Sequence, residues 1–196
     1  AIDVGELGGM YAGKVHLVGT EQGVGVRNAG HIGADFDSVK IDAGGKLYNS
    51  GIINAAKSID INADTDIENY GRIDSKQGDV NLTTKAHIQQ DGRVVARAGQ
   101  VKAKGLSIAQ KGETVARDTI DYQAYSVLTT RDSLMSAGVN FNEASNTVNR
   151  TPQLPNAQGK AIRVKTTYAW MGGQQVASGT VDIQAEHAKL TGSRID

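Results

Sequence analysis

Four histidines, a small group of aspartates and two scarce aromatics carry most of the chemistry this sequence has to offer. His16, His31, His87 and His187 have no histidine partner at ligand spacing, and the chain has no cysteine, so a zinc site is not expected. Asp60, Asp64 and Asp66 gather around one turn. Two carboxylates there could act as acid and base on a glycosidic bond; the plainer reading is a solvated turn. A calcium turn would need a G-G-x-G-x-D nonapeptide, which is missing. Ser133 and Ser136 lie in no nucleophile elbow, and Gly23-Val24-Gly25 opens no helix, so it is no dinucleotide fingerprint. Tyr168 and Trp170 alternate with Arg163 and Lys165 in one segment. An exposed aromatic here can serve as a binding anchor; the plainer reading packs Trp170 against the flank of the coil, with Arg163 and Lys165 as a small basic strip on the outward face. The expectation is binding without catalysis: no cofactor, no metal and no enzyme.

The elements that position these residues follow from composition and periodicity. Acidic and basic side chains balance at 21 each over 196 residues. A general nucleic-acid binder would carry a basic surplus, so no nucleic-acid partner is expected. No apolar run approaches the ~20 residues of a membrane span, and no signal peptide opens the chain. The chain begins at Ala1 without Met, as a processed or excised piece would. Glycine is abundant, 24 residues, while Trp, Tyr and Phe number one, six and two.

Self-similarity is plain. Gly30, Gly51, Gly71, Gly92 and Gly112 recur every 20 or 21 residues. Two residues before each stands an amide: Asn28, Asn49, Asn69, Gln90 and Gln110. Two before those stands an aliphatic, from Val26 to Ile108, and two after each glycine come Ile32, Ile53, Ile73, Val94 and Thr114. A further pair recurs as Val39/Ile41, Ile59/Ile61, Val80/Leu82 and Val101/Ala103. Spacing of two places side chains on one face of a strand. No segment carries helical periodicity, and the leucine-rich frame is absent. The fold expected is all-β: a parallel β-helix, or solenoid, of 20–21-residue coils with apolar interior ladders. The amides should stack as a corner ladder, and the glycines should permit a tight bend or positive φ there.

The frame weakens at Ile120 and Tyr122, then returns at Val181–Ile183 and Leu190–Ile195. The division expected is therefore β-helix coils over 1–123, an excursion outside the helix over 124–178, and a resumed coil over 179–196. Within the excursion, Thr130 to Met135 suggests one short helix, N-capped by Thr130 and stopped by Gly138. Asn140 to Gln158, with Pro152 and Pro155, reads as a long loop. Ile162 to Trp170 alternates as a half-buried strand, and Gly172-Gly173 suggests a hairpin turn into Gln174–Val176. The excursion would cap or cover the coils, or carry recognition.

The stretch DVGELGGMYAGKVHLVGTEQGVGVRNAG, Asp3 to Gly30, resembles a signature of the large Gram-negative two-partner secretion exoproteins. These are the filamentous haemagglutinin and contact-dependent growth inhibition group. There, a similar LGGMYA segment follows the secretion domain and leads into haemagglutinin repeats. The resemblance covers residues 3–116 well and 179–195 loosely. It implies a right-handed β-helix in a secreted, cell-surface filament, exported through an outer-membrane transporter partner. It also implies flanking β-helix repeats of the parent chain and a receptor on a target bacterial or host cell. The reading of this segment is a non-catalytic structural and adhesive shaft mediating cell–cell contact. The alternatives are a receptor-binding module through residues 124–178 and a carbohydrate-active β-helix enzyme.

Overall fold

The computed structural model describes residues 1–5, 8–19, 21–141, 154 and 159–196. The chain winds into a parallel β-solenoid of about eight coils. Each strand pairs in parallel with its equivalent one coil earlier and one coil later, so every coil supplies three strands to three outward faces. The first face runs through Ile2–Val4, Val26–Asn28, Leu47–Asn49, Ile67–Asn69, His87–Gln90 and Ser107–Gln110. The second runs from Gly9–Ala12 through His31–Ala34 and Ile52–Ala55 to Glu113–Ala116 and Leu134–Ala137. The third runs from Val15–Gly19 and Val39–Ala43 to Val101–Lys104.

Stacking explains the sequence period. A residue in one coil sits directly over its counterpart in the next, so each interior row must keep one kind of side chain. Val26, Leu47, Ile67, Ile88, Ile108 and Val127 form one such row, all buried. Ile41, Ile61, Leu82, Ala103, Tyr122 and Val164 form another. Each buried Val, Leu or Ile contributes roughly 1.5–3 kcal/mol over its exposed state.

Residues 124–178 do not leave the solenoid as one block. Strand Ile120–Thr129 pairs with Val101–Lys104 and with Ser107–Gln110, so it lines the third face and then the first. Strand Ile162–Ala177 pairs in parallel with Ile120–Thr129 and then with Leu134–Ala137, and Val181–Ile195 pairs with it in turn. The hairpin expected at Gly172-Gly173 is therefore a solenoid corner. Gly173 has φ +73°, Gly172 has no positive φ, and the chain continues in its original direction. An ideal Cβ on Gly173 would lie 2.4 Å from the Ser133 carbonyl oxygen, so the corner is too tight for a side chain. The helix expected at Thr130 to Met135 is also absent. Leu134–Ala137 is a strand, and Ser133 turns back with its amide and hydroxyl on the Thr130 carbonyl at 3.1 and 2.8 Å. The chain leaves the ladder between Ala137 and Ile162. Most of the loop expected over 140–158, with both prolines, lies outside the described residues.

The start of this departure packs back on the second face. Val139 and Phe141 join the outward-pointing Val115 and Leu134, and Arg97 lies over the Phe141 ring at 5.6 Å. Two valines that would otherwise be wet, Val95 and Val115, are fully buried.

Inside the coils, Tyr122 replaces an aliphatic above the small Ala103. Its hydroxyl bonds Gln110 Oε1 and Thr114 Oγ1, the latter at 2.7 Å. Burial pushes this phenol far above its ordinary value of 10.0, with the Thr114 bond opposing weakly. A raised acid pKa stabilises the fold fully below the unfolded value and less as pH climbs past it. Stability should fall by about 1.4 kcal/mol per pH unit above pH ~10 from this group alone. Urea unfolding across that window should show a shallower loss for Tyr122→Phe than for the parent chain.

Candidate contact surface

The interior amides come first because they set the corner that leads from the first face. Asn28 Nδ2 donates to Asn49 Oδ1 at 2.8 Å, Asn49 to Asn69 at 2.9 Å, and Asn69 to Gln90 Oε1 at 2.8 Å. Each also reaches a corner carbonyl of its own or the next coil, as Asn69 does with Arg93 O at 3.3 Å. Gln110 turns instead to Gly112 O and Leu134 O and accepts from Thr114 and Tyr122. Beyond it the row continues as Thr129 and Met171, without amides. The glycines beside this ladder have no positive φ. They are required by close approach: a Cβ on Gly51, Gly71, Gly92 or Gly112 would fall 1.9–2.1 Å from the carbonyl oxygen of the corner glycine above. Gly30 meets the carbonyls of Gly5 and Gly8 in the same way.

The outward side chains of the first face change character along the axis. One outer row reads Arg27, Tyr48, Glu68, Gln89, Ala109, Leu128, Trp170, Lys189. The neighbouring row reads His87, Ser107, Ser126, Tyr168, His187. Tyr168 and Trp170 thus stand side by side, 45% and 53% exposed. Tyr168 stacks on His187 at 5.0 Å and 17° and takes the edge of Tyr125 at 5.3 Å. Lys189 Nζ lies 4.8 Å from the Trp170 ring centre. A shallow apolar groove of about 340 Å³ runs between the two rows over Ala169 and Ala188.

Arg163 and Lys165 belong to the third face, so strand alternation did not bring all four residues together. Arg163 lies between Asp121 and Asp182, and Lys165 between Gln123 and Gln184. Lys165 nevertheless sits at the corner next to Thr167 and shares a surface groove with Lys104 and Glu186.

Most of the groups weighed for catalysis are spent on contacts between coils, whereas the Asp64 side chain stands exposed. His16 bonds Asp42 at 3.0 Å and holds that carboxyl below the usual range, while His87 bonds Ser107 at 2.5 Å. His31 bonds Asn54 and packs against Tyr11. Asp60 accepts from Asn81 at 2.7 Å, and Asp66 from the His87 amide at 3.1 Å. The slot after the corner glycine stacks His31, Ile52, Arg72 and Arg93, an isoleucine among polar residues. Asp74 is clasped by Arg72 and Arg97 at 2.6 and 2.9 Å. Among the described residues no group of three or more His, Asp or Glu is placed to hold a metal ion.

Fold and surface together define a parallel β-solenoid segment with a polar interior ladder and an aromatic outer strip. No family model matches the chain, and no solved structure matches it. Curated relatives do. The chain is 54% identical over 71 residues to the protein named Toxin CdiA of Yersinia pestis, covering 36% of this chain and 2% of that one. It is 26% identical over 195 residues to the tRNA nuclease CdiA of Yersinia mollaretii, covering 100% and 6%. It is 27% identical over 143 residues to the 16S rRNA endonuclease CdiA of Enterobacter cloacae, covering 70% and 4%. The second alignment runs through 124–178, where the signature seen in the sequence had no counterpart. The chain is thus similar to a segment of these contact-dependent growth inhibition proteins. It spans 2–6% of the length of these relatives.

Proposed function

We propose that these residues form a shaft segment of a secreted exoprotein on a Gram-negative cell surface, mediating cell–cell contact by adhesion or growth inhibition. The segment itself is non-catalytic. Its parallel coil-to-coil pairing from Ile2 to Ile195, with one register shift between Met171 and Gly173, is the observation that carries this reading: it suits a rod that transmits rigidity along its axis. The half-covered interior rows Ile2, Met10 and Leu17 at one end, and Val181 and Ile183 at the other, are surfaces on which flanking coils would stack. The outer-membrane transporter would be its partner during export. Two of the three relatives above bear nuclease names; in this reading that chemistry lies elsewhere in such chains, since His16, His31, His87, Asp60 and Asp66 here serve inter-coil bonds. Incubating the chain with tRNA and ribosomal RNA in magnesium should leave both intact. Cleavage that Asp64→Asn or Asp66→Asn abolishes would overturn the non-catalytic reading.

The aromatic strip favours a second, compatible role in lateral recognition. Labelled chain should bind target cells saturably, and Tyr168→Ser with Trp170→Ser should remove most of that binding without changing the β-sheet spectrum. Equal binding by the double variant would remove this role from the strip.

A further inference from the structure

The first face is polar on its early coils and apolar on its late ones. Glu68, in the early part, is held by Lys46 and by Tyr70 at 2.5 and 3.0 Å. From residue 106 onward the outer surface presents Leu106, Tyr125, Leu128, Tyr168 and Trp170, each 43–54% exposed and on successive coils. Contiguous exposed apolar side chains of this kind mark contact surfaces.

Cations border this strip on both sides. Lys104 and Lys165 lie at the corner before it, Lys111 and Arg131 at the corner after it, and Lys189 within it. All five are exposed. Among the described residues none of them lies within ion-pair distance of a carboxylate. The first face and its two corners hold two carboxylates over these coils, Asp132 and Glu186, while Asp121 and Asp182 flank Arg163 farther along the third face. In a chain of zero net charge, this is a local positive surplus around an apolar centre.

We propose that the strip docks the solenoid sideways onto a lipid bilayer carrying anionic headgroups. Trp and Tyr prefer the headgroup level of a membrane, where an apolar ring and a polar tip are both satisfied. Leu106 and Leu128 would reach just below it, and the five cations would meet headgroup phosphates. Stable surface binding takes two signals, an apolar one and an electrostatic one, and the strip has both. Only side chains need enter, because the backbone of the face is already paired between coils. An acidic polysaccharide would match the charges but leave the leucines and ring edges in water. This inference rests on the lateral-contact role and names its partner.

Trp170 is the single tryptophan, so its emission reports on this strip alone. The intact chain would be mixed with vesicles of phosphatidylcholine, or of phosphatidylcholine with phosphatidylglycerol, and followed by fluorescence and flotation. Flotation and a blue shift are expected with the anionic vesicles only, reversed by salt. Changing Lys111, Arg131 and Lys189 together to Gln should weaken partition roughly 100-fold at low salt. Leu128→Ser with Tyr168→Ser should suppress the blue shift, while Lys14→Gln with Lys40→Gln at the other end should change nothing. Melting curves of the variants guard against misfolding. No shift on anionic vesicles, an equal response to phosphatidylcholine alone, or displacement by a soluble acidic polysaccharide would each overturn the proposal. If the vesicles fail while Tyr168→Ser with Trp170→Ser still loses cell binding, lateral recognition stands without a lipid partner. If cells and vesicles both fail to respond, both readings fall.

Discussion

Gly71→Ala should split the solenoid in two. Its new Cβ would lie 2.1 Å from Gly51 O, 2.7 Å from Ser50 C and 2.9 Å from Gly51 N. All three are backbone atoms, so no rotamer relieves the clash. Relief requires moving the coils apart, which stretches the Gly71 amide bond to Asn49 O and the Arg72 amide bond to Gly51 O, now 3.1 and 2.9 Å. Overpacking alone costs roughly 1–3 kcal/mol, and two weakened buried bonds add about 1 kcal/mol each. A stacked array draws its stability from neighbour interfaces. Losing one should therefore turn a single thermal transition into two, with the coils before and after residue 71 melting separately. Gly23→Ala is the contrast: Gly23 has φ +84° but nothing within 4 Å of its Cβ. It should cost only the left-handed penalty of roughly 1–2 kcal/mol and keep one transition. If Gly71→Ala melts like Gly23→Ala, the coils are not held as closely as the structure places them.

What could be read in the sequence follows from the same stacking. Parallel coils repeat residue types, so Val26, Leu47, Ile67, Ile88 and Ile108 disclosed both the period and the interior. The reading failed where the repeat changed its contents. The step from Ile120 to its partner Ile162 is 42 residues, twice the period, which disguised the coil between them as an excursion. Gly172-Gly173 carries the local chemistry of a hairpin, and only distant pairing with 134–137 distinguishes a corner from a reversal. The sequence offered a tight bend or positive φ as the reason for the corner glycines; φ is not positive there, and the close approach between coils that excludes a Cβ leaves no separate mark in a single sequence. Alternation put Tyr168 and Trp170 on the face of Ile162 and Val164, opposite Arg163 and Lys165; the corner at Thr166 and Thr167 changes the phase and turns both aromatics outward. Their neighbours Tyr125, Leu128, His187 and Lys189 could be named only once the register across those unequal steps was known. Thr114 and Tyr122 were visible as departures from aliphatic rows, and their shared bond to Gln110 explains why both depart together.

Asn69→Leu should be the most costly of the ladder substitutions, about 3–5 kcal/mol. Asn69 is 1% exposed. It donates to Gln90 Oε1 and Arg93 O and accepts from Asn49 Nδ2. Leucine is close in size, so the packing changes little and the hydrogen bonds carry the effect. Asn49 Nδ2 keeps Gly51 O and Arg72 O, each at 3.3 Å, and is only weakened. Gln90 Oε1 keeps no described partner, and an orphaned buried acceptor costs roughly 1–3 kcal/mol. Asn28→Leu removes bonds at the end of the ladder but leaves only one side of it exposed to the change, so its cost should be smaller. The test of mechanism is the double variant Asn69→Leu with Gln90→Leu. Removing both partners removes the orphan as well, so the pair should cost less than the sum of the singles by about 1 kcal/mol or more. Strict additivity in urea unfolding would mean that each amide is held by its corner carbonyls alone. The stacked side chains would then be neighbours without being a ladder, and the rigidity assigned to the shaft would rest on the apolar rows and backbone pairing instead.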